Sequence, residues 1–306
     1  MKKRMLAIVN PISGIGKQRR IETIFQKNLN HDLFDFKLQY TEPDNHGEAL
    51  ARKAADDGYD VIVAVGGDGT VNDVIRGMIN SDSRLGIIPC GSGNGLARCL
   101  RIPLQPAFAV RVLNQYHKET IDTIVVNNQY IVASIAGVGF DAHIAQLMKQ
   151  SKSRGLPAYV NLIVREYGSY QCKDYHLVID DKEIDRNAWF IAIANSNQFG
   201  FNMAVAPHAV LDDGLIDISI VDKVPLEHVP ITGPLIYANH FELSQHVEMF
   251  KAHEIHIYGN IDKWVNIDGE GMLCGNEIHF VNHQKSLKII GRNPKMTLKE
   301  ALERTF

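Results

Sequence analysis

The stretch Asp60-Val-Ile-Val-Ala-Val-Gly-Gly-Asp-Gly-Thr70 decides the fold predicted for the first third of the chain. Its apolar run over 61–65 has the length and the β-branched content of a fully buried strand. After the glycine-rich turn, apolar side chains recur at the spacing of one helix face, at Val71, Val74, Ile75, Met78 and Ile79. A buried strand that leads through a tight turn into an amphipathic helix is typical of a parallel sheet covered by helices.

The same alternation of strand and helix is found on both sides of this stretch. Strands are predicted over 5–9, 34–40 and 85–88, and helices from about residue 16, over 45–57 and through 96–100. After about residue 118 the pattern changes to a hairpin of 123–127 and 130–136, helical segments near 141–168, and many short strands. Those strands are predicted at 175–179, 189–194, 215–221, 254–258, 264–267, 277–281 and 287–290. The sequence therefore predicts an α/β domain with a parallel sheet, followed by an antiparallel β-sandwich domain.

Charge and cysteine content exclude several classes of protein. The chain has 32 Lys and Arg against 35 Asp and Glu, so no bulk positive field is available for nucleic acid. The four cysteines form no CxxC pair, which indicates a reducing compartment rather than a disulfide framework. No apolar run approaches the roughly 18 residues of a membrane span, and the run over 5–9 is too short for a signal peptide. We expect a cytoplasmic protein with no nucleic-acid partner.

Polar, glycine-bearing loops follow three of the predicted strands, over 10–17, 66–70 and 89–95. In an open α/β sheet, ligands bind at the carboxyl ends of the strands, where glycines let backbone N–H groups approach phosphate oxygens. Thr70 and Asp73 have the spacing of a capping box, and Ser92 is a predicted helix N-cap. The Rossmann pattern is excluded because Asn72 stands where it requires a glycine. The Walker A pattern is excluded because Gln18 stands where it requires Ser or Thr. The three loops together predict a phosphate cradle.

Four motifs carry a family resemblance: Asn10-Pro-x-Ser-Gly14, Gly66-Gly-Asp-Gly-Thr70, Gly91-Ser-Gly-Asn94 and Asp268-Gly-Glu270. In this order the chain resembles the diacylglycerol kinase catalytic-domain family, which includes bacterial diacylglycerol kinases and eukaryotic sphingosine and ceramide kinases. The resemblance implies an ATP-binding α/β domain over 1–118 and a lipid-binding β-sandwich over 119–290, with ATP in the cleft between them. It also implies that the last segment, about 291–306 with a short helix at 297–304, returns to the first domain.

The resemblance further implies an activity: ATP- and Mg²⁺-dependent phosphorylation of the primary hydroxyl of a lipid, in peripheral contact with a membrane. Diacylglycerol is the substrate that the family name favours. The fourth-strand loop has no acid after Asn94 and is in this respect closer to the sphingoid and ceramide branch. The segment Met148–Val160 mixes basic and apolar residues and is the predicted membrane contact, a solvated helix being the alternative.

Site residues follow from the same resemblance. The implied nucleotide contacts are Asn10, Pro11, Ser13, Gly14, Thr41, Gly66, Gly67, Asp68, Gly69, Thr70, Asn72, Ser92 and Asn94. Asp68 is implied in catalysis together with the acid loop, in which either Asp268 or Glu270 would accept the hydroxyl proton.

Two further sites are implied in the second domain. Asp213 with the carbonyls of Val210 and Leu215 resembles the family's magnesium loop, a plain turn being the alternative. Asp141 would orient the lipid headgroup, or else cap the helix that follows. His253-Glu254-x-His256 is predicted to place both imidazoles on one strand face without a third ligand, so no zinc site is predicted.

Two rival functions remain open. NAD kinases also carry Gly-Gly-Asp-Gly after a strand, although the Asn10-Pro11 loop and the Gly91-Ser-Gly-Asn94 loop favour a lipid kinase. A nucleotide-binding regulator without turnover is the other rival, and Asp68, Asp268 and Glu270 together count against it. The lipid and the oligomeric state, a homodimer included, are left open.

Overall fold

In the computed structural model the chain is described over residues 1–13, 20–42, 46–151, 155–259 and 263–293. It divides into two compact units, Met1–Ile121 with Lys285–Phe306, and Asp122–Gln284. The strands are β1 (Lys3–Val9), β2 (Phe34–Tyr40), β3 (Val61–Gly66), β4 (Arg84–Pro89), β5 (His117–Val126), β6 (Tyr130–Val132), β7 (Ile135–Gly139), β8 (Lys173–Ile179), β9 (Lys182–Ala188), β10 (Phe190–Ala194), β11 (Ile216–Val221), β12 (Val247–Ala252), β13 (Glu254–Gly259), β14 (Trp264–Ile267), β15 (Glu270–Leu273) and β16 (Glu277–Gly291). The helices are α1 (Ile21–Asn28), α2 (His46–Asp56), α3 (Asp68–Met78), α4 (Gly95–Cys99), α5 (Pro106–Gln115), α6 (Phe140–Gln150), α7 (Leu156–Tyr167) and α8 (Val229–Tyr237).

The first unit is built on a parallel sheet with the strand order β2-β1-β3-β4, and the end of β16 adds to β4 in parallel. Every residue of β3 is buried, as expected for a central strand with helices on both faces. Because all four strands run the same way, their carboxyl ends meet at one edge. The loops that carry the predicted nucleotide contacts all leave this edge.

The second unit contains two antiparallel sheets. One has the strand order β12-β11-β10-β7-β14-β15, and the other contains β9, β8, β13 and the start of β16, with the β5-β6 hairpin joined to β16. Apolar side chains from both sheets form one buried cluster, which includes Ile124, Val138, Leu177, Ile193, Ile218, Ile257, Val265 and Phe280. The predicted α/β fold followed by an antiparallel β-sandwich is confirmed.

Three strand predictions were wrong in detail. The predicted strand over 130–136 is two strands, because β6 ends at Val132 and β7 begins at Ile135 in the other sheet. The segments 277–281 and 287–290 are parts of one long strand, β16. The strands β9, β12 and β15 were missed, and each lies at the end of its sheet, where burial does not impose the apolar pattern of an inner strand.

The two predicted helix caps were also wrong. Helix α3 begins at Asp68 with Gly67 as its N-cap, so Thr70 and Asp73 lie inside the helix and Asp73 pairs with Arg76. Helix α4 begins at Gly95 with Asn94 as its N-cap, and Ser92 is exposed before it. The helix predicted over 297–304 lies outside the described residues. Within the described ranges, no helix has both the length and the apolar character that crossing a bilayer would require.

Candidate functional site

The carboxyl edge of the parallel sheet brings together four loops, numbered here first to fourth after the strand that precedes each, β1 to β4. Thr41 follows β2 and donates its N–H to the Val9 carbonyl at 2.8 Å, and Asn10 follows β1 and donates to the Val65 carbonyl at 3.0 Å. After β4, the N–H of Cys90 donates to the Gly66 carbonyl at 2.7 Å. The predicted nucleotide contacts of these loops are therefore neighbours in space, apart from Gly14, which lies outside the described residues.

The side chains of the first and third loops are connected directly. Asn10 Nδ2 donates to Thr70 Oγ1 at 3.1 Å, and Ser13 Oγ donates to the Asn10 carbonyl at 3.0 Å. Pro11 lies between them in the turn, and Thr70 and Asn72 are buried in the first turns of α3. These contacts fix the loop after β1 against the start of α3.

The glycines of the third and fourth loops allow backbone to approach backbone. A Cβ on Gly66 would lie 2.3 Å from Thr70 Oγ1, and a Cβ on Gly91 would lie 2.5 Å from the Gly67 Cα. Neither position therefore admits a side chain. At the start of α3, the N–H groups of the first turn, Gly69 included, have no partner within the helix. Such an arrangement can bring several N–H donors close to one anion.

Asp68 connects the third loop to the fourth. Its Oδ2 accepts the N–H of Asn94 and its Oδ1 accepts the N–H of Gly95, both at 2.8 Å. Burial raises the pKa of Asp68, against the lowering effect of these two backbone donors. Asp68 therefore caps the short helix α4 from outside, a role that the sequence did not indicate.

In the second unit, the acid loop is a tight turn between β14 and β15. Asp268 and Gly269 have φ angles of 49° and 94°, as in a type I′ hairpin turn. The Asp268 carboxylate accepts the N–H groups of Ala133 at 2.8 Å, Ser134 at 2.8 Å and Ile135 at 2.9 Å. These three residues lie where the chain leaves β6 and enters β7, so Asp268 satisfies donors at the crossing between the sheets.

A chain of hydrogen bonds runs from this turn to Asp141. The N–H of Gly269 donates to Asn266 Oδ1 at 2.9 Å, and Asn266 Nδ2 donates to Asp141 Oδ2 at 2.7 Å. Burial raises the pKa of Asp141 to about 6, although hydrogen bonds from Asn266 and Tyr159 lower it. The N-cap of α6 is Gly139, so the capping alternative for Asp141 is wrong.

Asn266 and Tyr159 were missed by the sequence reasoning. The one available signal for Asn266 was a polar residue inside the apolar strand Trp264-Val-Asn-Ile267. Its neighbour Gly137 is constrained as well, because a Cβ there would lie 2.1 Å from Asp141 Oδ2. Glu270 is the first residue of β15, pairs with Ile267 across the turn and is half-buried.

Asn195 joins this region to the Asp213 loop. Its Nδ2 donates to the carbonyls of Asp122 at 2.8 Å and Ala133 at 3.0 Å. Asp122 Oδ2 in turn accepts the N–H of Gly214 at 2.8 Å. Asn195 and Asp122 are buried, and neither was identified from the sequence.

The Asp213 loop holds a cation of the chain itself. Asp213 Oδ1 accepts the N–H of Leu215 at 3.1 Å, while Lys251 Nζ donates to Asp213 Oδ2 at 2.9 Å and lies 3.2 Å from Asp217 Oδ2. Burial lowers the pKa of Lys251, but its contacts with the two carboxylates outweigh this and raise the pKa above its usual value.

The resemblance implied the backbone carbonyls of Val210 and Leu215 as the other metal ligands, and the two residues have different surroundings. The Leu215 carbonyl accepts Asn282 Nδ2 at 3.3 Å, and Val210 is exposed. A divalent ion bound to Asp213 would therefore have to displace the Lys251 ammonium. The loop as it stands does not fit such an ion, and we derive no reaction step through one at this position.

An α/β unit with a glycine-lined strand edge, together with an antiparallel β-sandwich unit, is the two-domain architecture that the resemblance to lipid kinases implied. Residues 4–126 match the family model for the diacylglycerol kinase catalytic domain, and residues 134–277 match the YegS C-terminal NAD kinase β-sandwich-like domain. The chain is 30% identical to the diacylglycerol kinase of Bacillus subtilis over 300 residues, covering 92% of this chain and 95% of that protein. The diacylglycerol kinase of Staphylococcus saprophyticus is 28% identical over 297 residues, with 92% and 94% covered.

The chain belongs to the diacylglycerol kinase family, as its motifs indicated, and is an enzyme of the kinase class. Solved structures agree on the fold. A diacylglycerol kinase structure from Bacillus anthracis has a TM-score of 0.71 at 21% identity and covers 96% of this chain and 98% of its own. A second structure from that organism has a TM-score of 0.78 at 23% identity, covering 96% and 99%.

Proposed function

We propose that the chain transfers the γ-phosphoryl group of ATP to the primary hydroxyl of a lipid, with diacylglycerol as the first substrate to test. The observation that carries this proposal is the direct backbone contact of the Gly67 and Gly91 loops at the carboxyl edge of the sheet. The glycine positions of these loops let backbone N–H groups come close to phosphate oxygens, which suits a polyphosphate. The relatives named diacylglycerol kinase supply the acceptor class.

In this proposal Asn10, Thr70 and the first turn of α3 bind the nucleotide phosphates. Asp68 acts as a positioning residue, because both of its oxygens already accept backbone N–H groups of the fourth loop. Ser92 is exposed beside them and would contact the nucleotide from that loop. Magnesium would enter with the ATP and neutralise charge on its phosphates.

Glu270 is the base that we assign. Three backbone donors occupy three of the roughly four lone-pair sites on the two oxygens of Asp268, which gives this carboxylate a structural role. Glu270 is adjacent in the same turn, is half-buried, and places a second carboxylate beside Asp268. It would take the proton of the lipid hydroxyl while that oxygen bonds to the γ-phosphorus and the bond to the β-phosphate oxygen breaks, releasing ADP.

Access to a lipid requires an apolar surface, and we place it at residues 226–243, called here the apolar segment. It includes α8, which contains no charged residue, and it exposes 71% of Leu226, 68% of Ile231 and 68% of Leu243. The earlier candidate, Met148–Val160, is described only in part, and its helices α6 and α7 share the buried cluster of Phe140 and Leu162. The apolar segment is therefore the better surface for peripheral contact with a lipid interface.

The test is a phosphoryl-transfer assay with labelled ATP and mixed micelles that contain diacylglycerol, sphingosine or ceramide, beside NAD in solution. NAD is included because the second unit matches a NAD kinase-like sandwich. We expect a labelled phospholipid from at least one lipid and none from NAD. Label in NAD alone would overturn the lipid kinase proposal, and Glu183→Gln, an exposed change on β9, is the matched control for variants of Glu270.

A further inference from the structure

One face of the sheet that contains β13 and β16 carries a cluster of titratable side chains. The two strands are antiparallel neighbours, with His256 opposite His279 and Ile257 opposite Ile278. Ile257 and Ile278 are buried in the core. Because side chains alternate along a strand, His256, His279 and Glu254 lie on the opposite, outward face.

Three of these side chains converge. One ligand atom each of Glu254, His256 and His279 lies within 4.8 Å of the other two. The rings of His256 and His279 are stacked, with centroids 4.0 Å apart and an interplanar angle of 8°. His279 Nε2 is 3.0 Å from Glu254 Oε2.

The geometry is close to that of a metal site. Zinc bound at about 2.0–2.1 Å to nitrogen and oxygen in a tetrahedron places its ligand atoms about 3.3 Å apart. The 3.0 Å separation of His279 Nε2 and Glu254 Oε2 is near this value, and a ligand atom of His256 lies within 4.8 Å of both residues. Two imidazoles and one carboxylate are also the donor set of open zinc sites, in which water takes the fourth position.

A second observation points to a ligand. His256 Nδ1 is buried and has no hydrogen-bond partner among the described residues, which is costly for a polar atom unless something binds it. A neutral imidazole with an unused nitrogen is the form that a metal ion binds.

We propose that Glu254, His256 and His279 form a zinc-binding site on the outward face of the second unit. The sequence predicted no zinc site, because no third ligand accompanies His253 and His256 along the chain. His253 lies in the bend before β13 and binds the Gly214 carbonyl at 3.1 Å, so it is not on this face. The third ligand, His279, comes from the neighbouring strand, more than twenty residues away in the sequence. The site is independent of the lipid kinase proposal.

The test is calorimetric titration of the full-length, chelator-treated protein with ZnCl₂, repeated with CoCl₂ to record the absorption bands of bound cobalt. We expect one equivalent of Zn²⁺ to bind, tetrahedral cobalt bands, and a rise in Tm with zinc. His256→Asn and His279→Asn should each weaken binding by at least about 100-fold, because even the loss of partners outside the coordination sphere costs about 10–100-fold.

His176→Asn is the matched control, since His176 is a histidine of the adjacent strand β8 that pairs with Asp185 at 2.8 Å and is outside the triad. It should bind zinc as the parent does. Glu254→Gln keeps the size of the side chain and decides the matter if a histidine variant fails to fold. Absence of zinc binding in the parent, or undiminished binding in any folded variant of Glu254, His256 or His279, would overturn the proposal.

Discussion

Asp68 shows how a residue of a signature motif can act through the backbone that it holds. Its carboxylate accepts two N–H groups of the fourth loop while buried. We expect Asp68→Asn to lose one of these acceptors and to lower the free energy of unfolding by about 1.5–3 kcal/mol, as for a hydrogen bond to a charged group.

Denaturant unfolding of Asp68→Asn measures this loss. The control is Asp82→Asn, whose fully exposed side chain pairs with Lys288 at 2.7 Å, because surface pairs contribute little to stability. Equal stability of the two variants would mean that the contacts of Asp68 do not hold the loops together.

Asp141 gives the protein a pH-dependent stability. Its pKa is about 6 when folded, mainly because burial disfavours the charged form, whereas an unfolded Asp has a pKa near 3.9. Between these values the folded state binds more protons, so stability decreases as the pH rises from 4 to 6 and then levels off. The full decrease is at most about 3 kcal/mol at roughly 1.36 kcal/mol per pKa unit.

Denaturant titrations at pH 4, 5, 6 and 7 test this contribution. Asp141→Asn cannot titrate and should show a flatter profile than the parent over that range. If both proteins lose stability equally between pH 4 and 6, the carboxyl of Asp141 is not the titrating group.

The two acids of the turn should separate by phenotype. Glu270→Gln is expected to lower kcat by at least about 100-fold with little change in Tm, because it removes the proposed proton acceptor and keeps the size of the side chain. Asp268→Asn, in contrast, is expected to lower the Tm, because at least one of the three backbone donors loses its acceptor. Activity of folded Glu270→Gln at the level of Glu183→Gln would exclude Glu270 as the base.

At the scale of elements, the loop before β11 is expected to be stabilised by Lys251 rather than by a metal ion. The ammonium contacts Asp213 on the loop and Asp217 on β11. We expect the Tm of the zinc-free parent to be the same in excess chelator and in excess Mg²⁺.

Lys251→Met is the complementary variant. It leaves two neighbouring carboxylates without their cation, so its Tm should fall and should rise again with added Mg²⁺, which takes oxygen ligands. A parent protein that loses stability in chelator, while Asp213→Ala does not respond, would instead establish Asp213 as a metal ligand.

At the scale of the whole molecule, function requires a soluble nucleotide and a lipid at an interface to reach one enzyme. Flotation with lipid vesicles should recover the parent, and Leu226→Glu with Ile231→Glu should reduce recovery severalfold, because two charges would enter the bilayer boundary. Both side chains are well exposed, so the Tm should not change. Val160→Glu on α7 tests the other surface, and loss of flotation in that variant alone would transfer the contact to α7.

How much of this could be predicted differs between the two units. The parallel sheet and its loops were readable because strand, turn and helix follow one another along the chain, and β3 is apolar at every position. The edge strands β9, β12 and β15 could not be predicted, because an edge strand need not alternate apolar and polar side chains. The break between β6 and β7 at Ala133–Ser134 could not be predicted either, because the residues on both sides of it have the composition of a single strand.

The sequence by itself determined the family, the order of the two folds and the loops at the strand edge, because these depend on local periodicity and on motifs contiguous in the chain. Only the tertiary structure decided what the polar side chains contact. Asp68 reaches α4, Asp268 reaches the β6–β7 crossing, and His279 reaches His256. These contacts depend on which distant segments pair as strands and where the chain passes from one sheet to the other. A local pattern of residues does not predict that pairing.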